Sequence, residues 1–234
     1  MVDFHSHVLP GIDDGSKSVE ESLSLLSMLS SQGVDLVAAT PHMDFRERSV
    51  ESFLEARAES SARLSESACE GSPEILLGAE VEYFQGISRI SALSELCIGE
   101  SGMLLIEMPP ERWSDYTVKE LTELTFVSGM TPVIAHVERY MDFQKTKVLQ
   151  NLIEYGIIMQ VNASFFCDLR TRRRALKLLR KKMVHVIGSD CHNVKHRPPR
   201  LADAIGIISD KLGVDFVKSM DAFARDVIGR KKLG

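Results

Sequence analysis

At 234 residues, 44% of them hydrophobic and 26% charged, the chain can bury one sizeable core and shows no bias towards disorder or a fibrous repeat. A formal net charge of −5 weighs against nucleic acid as the main partner, because a phosphate backbone is bound by basic surfaces. No run reaches ~18 uninterrupted apolar residues, no basic-then-apolar leader opens the chain, and Cys69, Cys97, Cys167 and Cys191 form no CxxC pair. The expectation is a cytoplasmic protein with free thiols and no insertion into a membrane.

The first apolar run, "VDF", leads directly into "HSH". "SVEESLSLLSMLSSQG" follows as a helix, with Ser18 and Glu21 placed as a capping box and Gly33 as its stop. Then come "VDLVAAT", a helical pattern from Ser49 to Cys69, "EILLGAEV", "MLLIEM", a helix over Asp115 to Gly129, and "TPVIAHV". A helix from Gln144 to Gly156, "GIIMQVNA", a helix from Asp168 to Lys182, "VHVIGSD" and a helix from Leu201 to Gly213 complete the series. The seven short runs are nearly continuous in apolar character, as strands buried on both faces are. Strands alternating with helices imply an α/β fold with a parallel sheet, and seven strands are enough to close a barrel as a single domain. An open doubly wound sheet is the structural alternative, but it keeps its ligand groups at one switch point. Here polar residues end nearly every strand.

Those ends carry His5 and His7, His42, Glu80, Glu107, His136, and Asp190 with His192, while Asp14 follows the first strand by a short loop. In a parallel barrel all these ends share one face, where distant segments meet. Residues i and i+2 of a strand project to the same side, so His5 with His7, and Asp190 with His192, are each placed to grip one ion. Asp14, Glu80, Glu107 and Asp190 together carry −4, which at low dielectric requires cations or protons. Two divalent ions neutralise that charge, and three leave a positive remainder suited to hydroxide and a phosphate dianion. Imidazole and carboxylate donors without a cysteine series suit Mn, Zn or Fe.

The segments "DFHSHVLPGIDDGSKSVEESL", "GVDLVAATPH", "GAEVEYF", "TPVIAHVERY", "QVNAS" and "SDCHNVKHRPP" closely resemble the bacterial manganese-dependent protein-tyrosine phosphatases of capsule and exopolysaccharide biosynthesis, in the PHP (polymerase and histidinol phosphatase) superfamily. The likeness runs from Met1 to at least Arg200. It implies a distorted, TIM-like (β/α)7 barrel, with residues 1–234 as one PHP-type metallophosphoesterase domain. It also implies metal ligands at His5, His7, Asp14, His42, Glu80, Glu107, His136, Asp190 and His192, holding two or three Mn2+ ions, with Zn2+ or Fe as other occupants. Arg139 in "HVERY" and Arg197 in "HRPP" are implied to contact phosphate, where a planar fork grips two oxygens. The implied reaction is attack by metal-activated hydroxide on the phosphotyrosine of a protein, a bacterial tyrosine kinase that regulates capsular or exopolysaccharide synthesis.

Other readings are a PHP-type small-molecule phosphatase acting on a compound such as histidinol phosphate, a metal-dependent amidohydrolase, and a non-catalytic regulator. A cysteine-dependent phosphatase has C-x5-R matches at Cys191 to Arg197 and Cys167 to Arg173, but neither loop holds the glycine that curling around phosphate needs. Cys191 receives no role. Trp113 and Tyr116 are either an aromatic wall for a tyrosyl ring or a loop-packing pair. The basic run Arg170 to Lys182 reads as a solvated outer helix on Ala175, Leu176, Leu178, Leu179 and Met183.

Overall fold

The computed structural model describes residues 1–67 and 71–229; Cys69 and the last residues expected of the second helix lie outside them. The strands are β1 (Val2–Ser6), β2 (Leu36–Ala39), β3 (His42–Met43), β4 (Glu74–Leu77), β5 (Glu80–Glu82), β6 (Met103–Glu107), β7 (Thr131–Ile134), β8 (Ile158–Asn162) and β9 (Val186–Gly188). The helices are α1 (Val19–Ser31), α2 (Val50–Ser65), α3 (Asp115–Phe126), α4 (Thr146–Glu154), α5 (Ser164–Cys167), α6 (Arg172–Arg180), α7 (Leu201–Leu212) and α8 (Val214–Ile228).

All strand pairs are parallel, in the orders β1-β2-β4 and β3-β5-β6-β7-β8-β9. Ala39 pairs with Leu77 and His42 with Glu80, so β2 and β3 continue one line, and β4 and β5 continue its neighbour in the same register. The interruption falls at Thr40 and Pro41, where proline removes a ladder donor. Asp190 N–H donates to the His5 carbonyl at 2.8 Å, and His7 N–H donates to the Cys191 carbonyl at 3.0 Å, which brings the last strand back to the first. Nine segments thus occupy the seven expected positions of a distorted α/β barrel.

Local signals set three of the helix starts. Ser18, Ser49 and Ser114 accept from the backbone N–H three residues on, satisfying donors that a helix cannot pair internally. Three departures from the sequence expectations stand out. The crossover between Glu82 and Met103, where no element was expected, holds two 3-10 turns, Ile87–Arg89 and Ser91–Leu96. The helix expected from Asp168 starts later, at Arg172, because Asp168 Oδ1 accepts the Arg170 N–H at 2.8 Å and turns the chain before α6. Helix α8 was not anticipated; its Ala224, Val227 and Ile228 are buried in a cluster with Phe4, Leu105, Val133 and Val186.

Period-2 alternation places Leu105 on the same face of β6 as Glu107, and Ile158 on the same face of β8 as Gln160 and Asn162. The apolar members stand nearer the strand starts and the polar ones at the ends. Helix α8 therefore covers the apolar end, and the donors crown the other. No described helix is long and apolar enough to cross a membrane.

Candidate metal centre

Glu80 lies at the middle of the expected donors and is 1% exposed. Its Oε1 is 2.8 Å from His136 Nε2, and its Oε2 lies 3.1 Å from His5 Nε2, 3.3 Å from His7 Nε2 and 3.2 Å from His42 Nδ1. Four imidazoles from three strand positions thus face one buried carboxylate. Burial alone would raise its pKa; His5, then hydrogen bonds from His136, His5 and His7, bring it well below the usual carboxylate range.

His5, His7 and His136 are each aimed by the second ring nitrogen. His5 Nδ1 donates to Gln160 Oε1 at 3.3 Å, leaving Nε2 towards the cluster, and the same oxygen accepts the His136 N–H at 2.6 Å. His7 Nδ1 lies 2.7 Å from Asp13 Oδ2, which also accepts the His42 N–H at 2.9 Å. His136 Nδ1 is 3.1 Å from the Tyr140 hydroxyl, whose oxygen accepts the Met108 N–H. Burial opposes the charged imidazole of His7, but the Asp13 hydrogen bond and Glu80 outweigh it and hold the pKa at about 10. Asp13 is pressed far below the ordinary range, its burial outweighed by His7.

Asp190 sits at the other side of the cluster. Its Oδ1 is 3.8 Å from His5 Nε2, 3.6 Å from His7 Nε2 and 2.7 Å from Arg197 Nη2. Its Oδ2 accepts from Asn162 Nδ2 at 2.7 Å and from Arg139 Nη2 at 3.2 Å. Burial works against this carboxylate, yet His5 and His7 lower its pKa to about 2. Glu107 behaves oppositely: burial and the neighbouring Glu80 raise it to about 7. Arg139 Nη1 reaches Glu107 Oε1 at 3.1 Å. Both arginines stay partly open to solvent, 44% and 41% exposed, beside a cavity of about 380 Å³ lined by Asn162, Ser164, His196 and Arg200.

All nine expected donors and both arginines meet at this face. Asp14 stands at its solvent edge, 66% exposed, with Oδ1 3.5 Å from His42 Nε2 and 3.4 Å from His192 Nε2. Three groups offer atoms that all lie within 4.8 Å of one another: His7, Asp14, His42 and His192; His5, His7 and Asp190; His42, Glu80 and Glu107. His136 belongs to none of these groups and is tied to Glu80. The residues fit divalent cations on two grounds. The donors are nitrogen and oxygen around concentrated carboxylate charge, and buried His192 Nε2 has no hydrogen-bond partner among the described residues.

The backbone allows this crowding at two glycines. A Cβ at Gly188 would meet the His5 Cβ at 2.5 Å, and one at Gly15 would meet the His7 Cβ at 2.5 Å. His136 and Asp190 take left-handed φ values of 31° and 52°, so the pair Asp190 and His192 is not a regular extended pincer. Its atoms still approach, with Asp190 Oδ1 3.5 Å from His192 Nδ1. Cys191 is buried, and burial pushes its thiol up, away from thiolate chemistry. Trp113 is buried against Tyr140, ring centroids 5.4 Å apart, with its indole N–H donating to the Pro109 carbonyl; it packs the loop. Tyr116 lies apart from it, exposed beside Tyr83 and Phe84.

Sequence reading missed Asp13, Gln160, Asn162 and Tyr140, the residues that aim the donors. A signal existed for two of them: Gln160 and Asn162 alternate within "GIIMQVNA", polar positions in an otherwise apolar strand.

The solved structure of YwqE from Bacillus subtilis and CpsB from Streptococcus pneumoniae, described as unique metal-dependent tyrosine phosphatases, matches at a TM-score of 0.86 and 23% identity, covering 100% of this chain and 96% of that one. The tyrosine-protein phosphatase CpsB of Streptococcus pneumoniae is 32% identical over 232 residues, 94% of each chain. The tyrosine-protein phosphatase YwqE of Bacillus subtilis strain 168 is 26% identical over 221 residues, 91% of this chain and 85% of that one. The model of the family "Capsular polysaccharide synthesis, CpsB/CapC" matches residues 1–225, a span that takes in every donor and both arginines. By that match and the 32% identity, the chain belongs to the CpsB/CapC family of capsular polysaccharide synthesis.

Proposed function

We propose that this chain is a metal-dependent protein-tyrosine phosphatase, a phosphoric monoester hydrolase in which residues 1–234 form one PHP-type domain. The observation that carries it is the shared anchor at Asp190, where a cluster of imidazoles and two arginine forks meet on one carboxylate. His5, His7, Asp14, His42, Glu80, Glu107, His136, Asp190 and His192 would hold two or three Mn2+ ions, with Zn2+ or Fe as other occupants. Divalent cations held there supply Lewis-acid polarisation and a lowered water pKa near neutral pH.

The chain's own residues supply position and charge. Arg197 spends one Nη on Asp190, and Arg139 divides its two between Asp190 and Glu107; the remaining N–H donors of both would serve a phosphoryl group in the adjoining cavity. Asp190, pinned by Asn162, holds both forks in place, so orientation is settled before substrate arrives. A phenol leaving group, with a pKa of about 10, needs less protonation than an alkyl alcohol. The substrate is a phosphotyrosine protein, read as a bacterial tyrosine kinase that controls capsule or exopolysaccharide synthesis, met in the cytoplasm.

The test strips the protein with chelator, restores Mn2+, Zn2+ or Fe2+ singly, and measures bound metal beside turnover of phosphotyrosine peptide, phosphoserine peptide and a simple amide. Metal-dependent preference for phosphotyrosine is expected. Undiminished phosphatase activity after stripping, or amide hydrolysis in its place, would overturn the proposal.

A further inference from the structure

The cavity beside Arg139 and Arg197 has a rim that leads onto α6. Arg200 lines the cavity with His196 and Ser164. The Cys167 thiol donates to the Arg200 carbonyl at 3.9 Å, and Arg172 Nη2 donates to the Cys167 carbonyl at 3.1 Å. A short chain of contacts therefore joins the arginine pocket to the first turn of α6.

That turn carries the wrong sign for its place. Helix α6 opens on Arg172, Arg173 and Arg174, with no acidic residue in its first turn and no side-chain cap, although the macrodipole favours negative charge there. Between residues 168 and 182 stand eight cations, Arg170, Arg172, Arg173, Arg174, Lys177, Arg180, Lys181 and Lys182, against the single carboxylate of Asp168, in a protein of net charge −5. Arg174 pairs with Asp142 at 2.6 Å, and Arg200 pairs with Asp203 at 2.9 Å. Arg170, Arg173, Lys177 and Arg180 are exposed and make no ion pair among the described residues. Arg173, Lys177 and Arg180 follow i, i+4, i+7, one stripe about 10 Å long, which three extended peptide residues would match.

We infer that the rim from Arg200 along α6 is a docking surface for acidic residues that flank the phosphotyrosine in the protein substrate. The inference rests on the phosphatase reading and names the substrate class for that site. A protein segment is favoured over a lipid surface because the first turn of α6 is joined, through Cys167 and Arg200, to the cavity that takes the phosphoryl group. Carboxylates entering there would pair with the unpaired arginines and offset the charge reversal at the start of α6.

The test compares metal-loaded protein on phosphotyrosine peptides with acidic or matched neutral flanks on either side, and on p-nitrophenyl phosphate. The acidic peptide is expected to have a kcat/KM roughly tenfold higher, through KM, a preference that shrinks as salt rises. The double variant Arg170→Glu/Arg173→Glu should lose most of that preference while keeping its Tm and its rate on p-nitrophenyl phosphate. Equal kcat/KM for acidic and neutral peptides at low salt, or a preference that survives the double variant, would overturn it. So would binding to anionic vesicles, abolished in the variant, without any peptide preference. Absence of turnover on p-nitrophenyl phosphate and on both peptides would instead fell the phosphatase reading on which it stands.

Discussion

Two cavities of similar size lie on either side of the histidine cluster, and they carry opposite charge. One, of about 400 Å³, is lined by Asp13, Asp14, His42, Asp44, Glu47, Glu82 and Glu107, with Arg48 as its lone arginine. The other, of about 380 Å³, is lined by Arg139, His196, Arg197 and Arg200 around Asp190 and Glu138. Both open on the same barrel face, so the backbone does not distinguish them; loop side chains do. The acidic flank is a place for cations and repels a phosphate dianion. The basic flank does the reverse. Glu107 and Asp190 stand on the border, each tied to Arg139 and each near the imidazoles.

If that polarity is what sorts metal from phosphoryl group, damage at the border should cost most. Asp190→Ala removes a candidate ligand and frees both guanidinium groups, and kcat/KM on a phosphotyrosine peptide should fall by about 10³-fold or more. On the basic flank alone, Arg197→Ala should cost about 10²-fold, and Arg197→Lys should recover only part of it, since an ammonium keeps the charge but not the fork. A lysine variant with full activity would show that geometry at this position is immaterial.

Behind the acidic flank, Asp13→Asn keeps size but weakens the hold on His7. Metal affinity, followed by titration calorimetry, should drop about 10- to 100-fold, with activity restored by excess Mn2+. Further out, Asp44 pairs with Arg46, which also contacts Glu82, all at the surface. Asp44→Asn should change turnover by less than about twofold. A larger loss would mean that the acidic flank itself meets the substrate.

The smallest effect lies away from both cavities. His185 is half-buried just before β9, and its Nδ1 accepts the Met159 N–H at 3.0 Å. Burial lowers its pKa, so the folded chain binds fewer protons here than the unfolded chain does. Its contribution is complete above the unfolded value of about 6.5 and declines as pH falls below it. His185→Asn, which keeps an acceptor, should narrow the Tm difference between pH 7.5 and pH 5 by about 3 °C. An unchanged difference would place the acid sensitivity elsewhere.

How much of this was legible varies by element. The run "VDFHSH" announces itself, because a strand buried on both faces has no ordinary use for two imidazoles at its end. Glu80 and Glu107 stood out for the same reason. The choice between neighbours Asp13 and Asp14 was not legible. Both carboxylates lie at the site, Asp13 aiming His7 from behind and Asp14 at the solvent edge, and the difference is one of side-chain direction after a turn. The crossover after Glu82 and the helix α8 were also missed. Short 3-10 turns carry no long period, and α8 shows its apolar stripe only once the barrel end that it covers is known.

By itself the sequence determined the alternation of strand and helix, the apolar faces and the residue types that end each strand. These are local properties, written in spacing and in the cost of burying charge. Only the tertiary structure decided which nitrogen faces which oxygen, through contacts such as His5 with Gln160, 155 residues apart, and Ser189 N–H with Asp3, 186 residues apart. Such pairings depend on how the barrel closes, and closure is a property of all seven strand positions together.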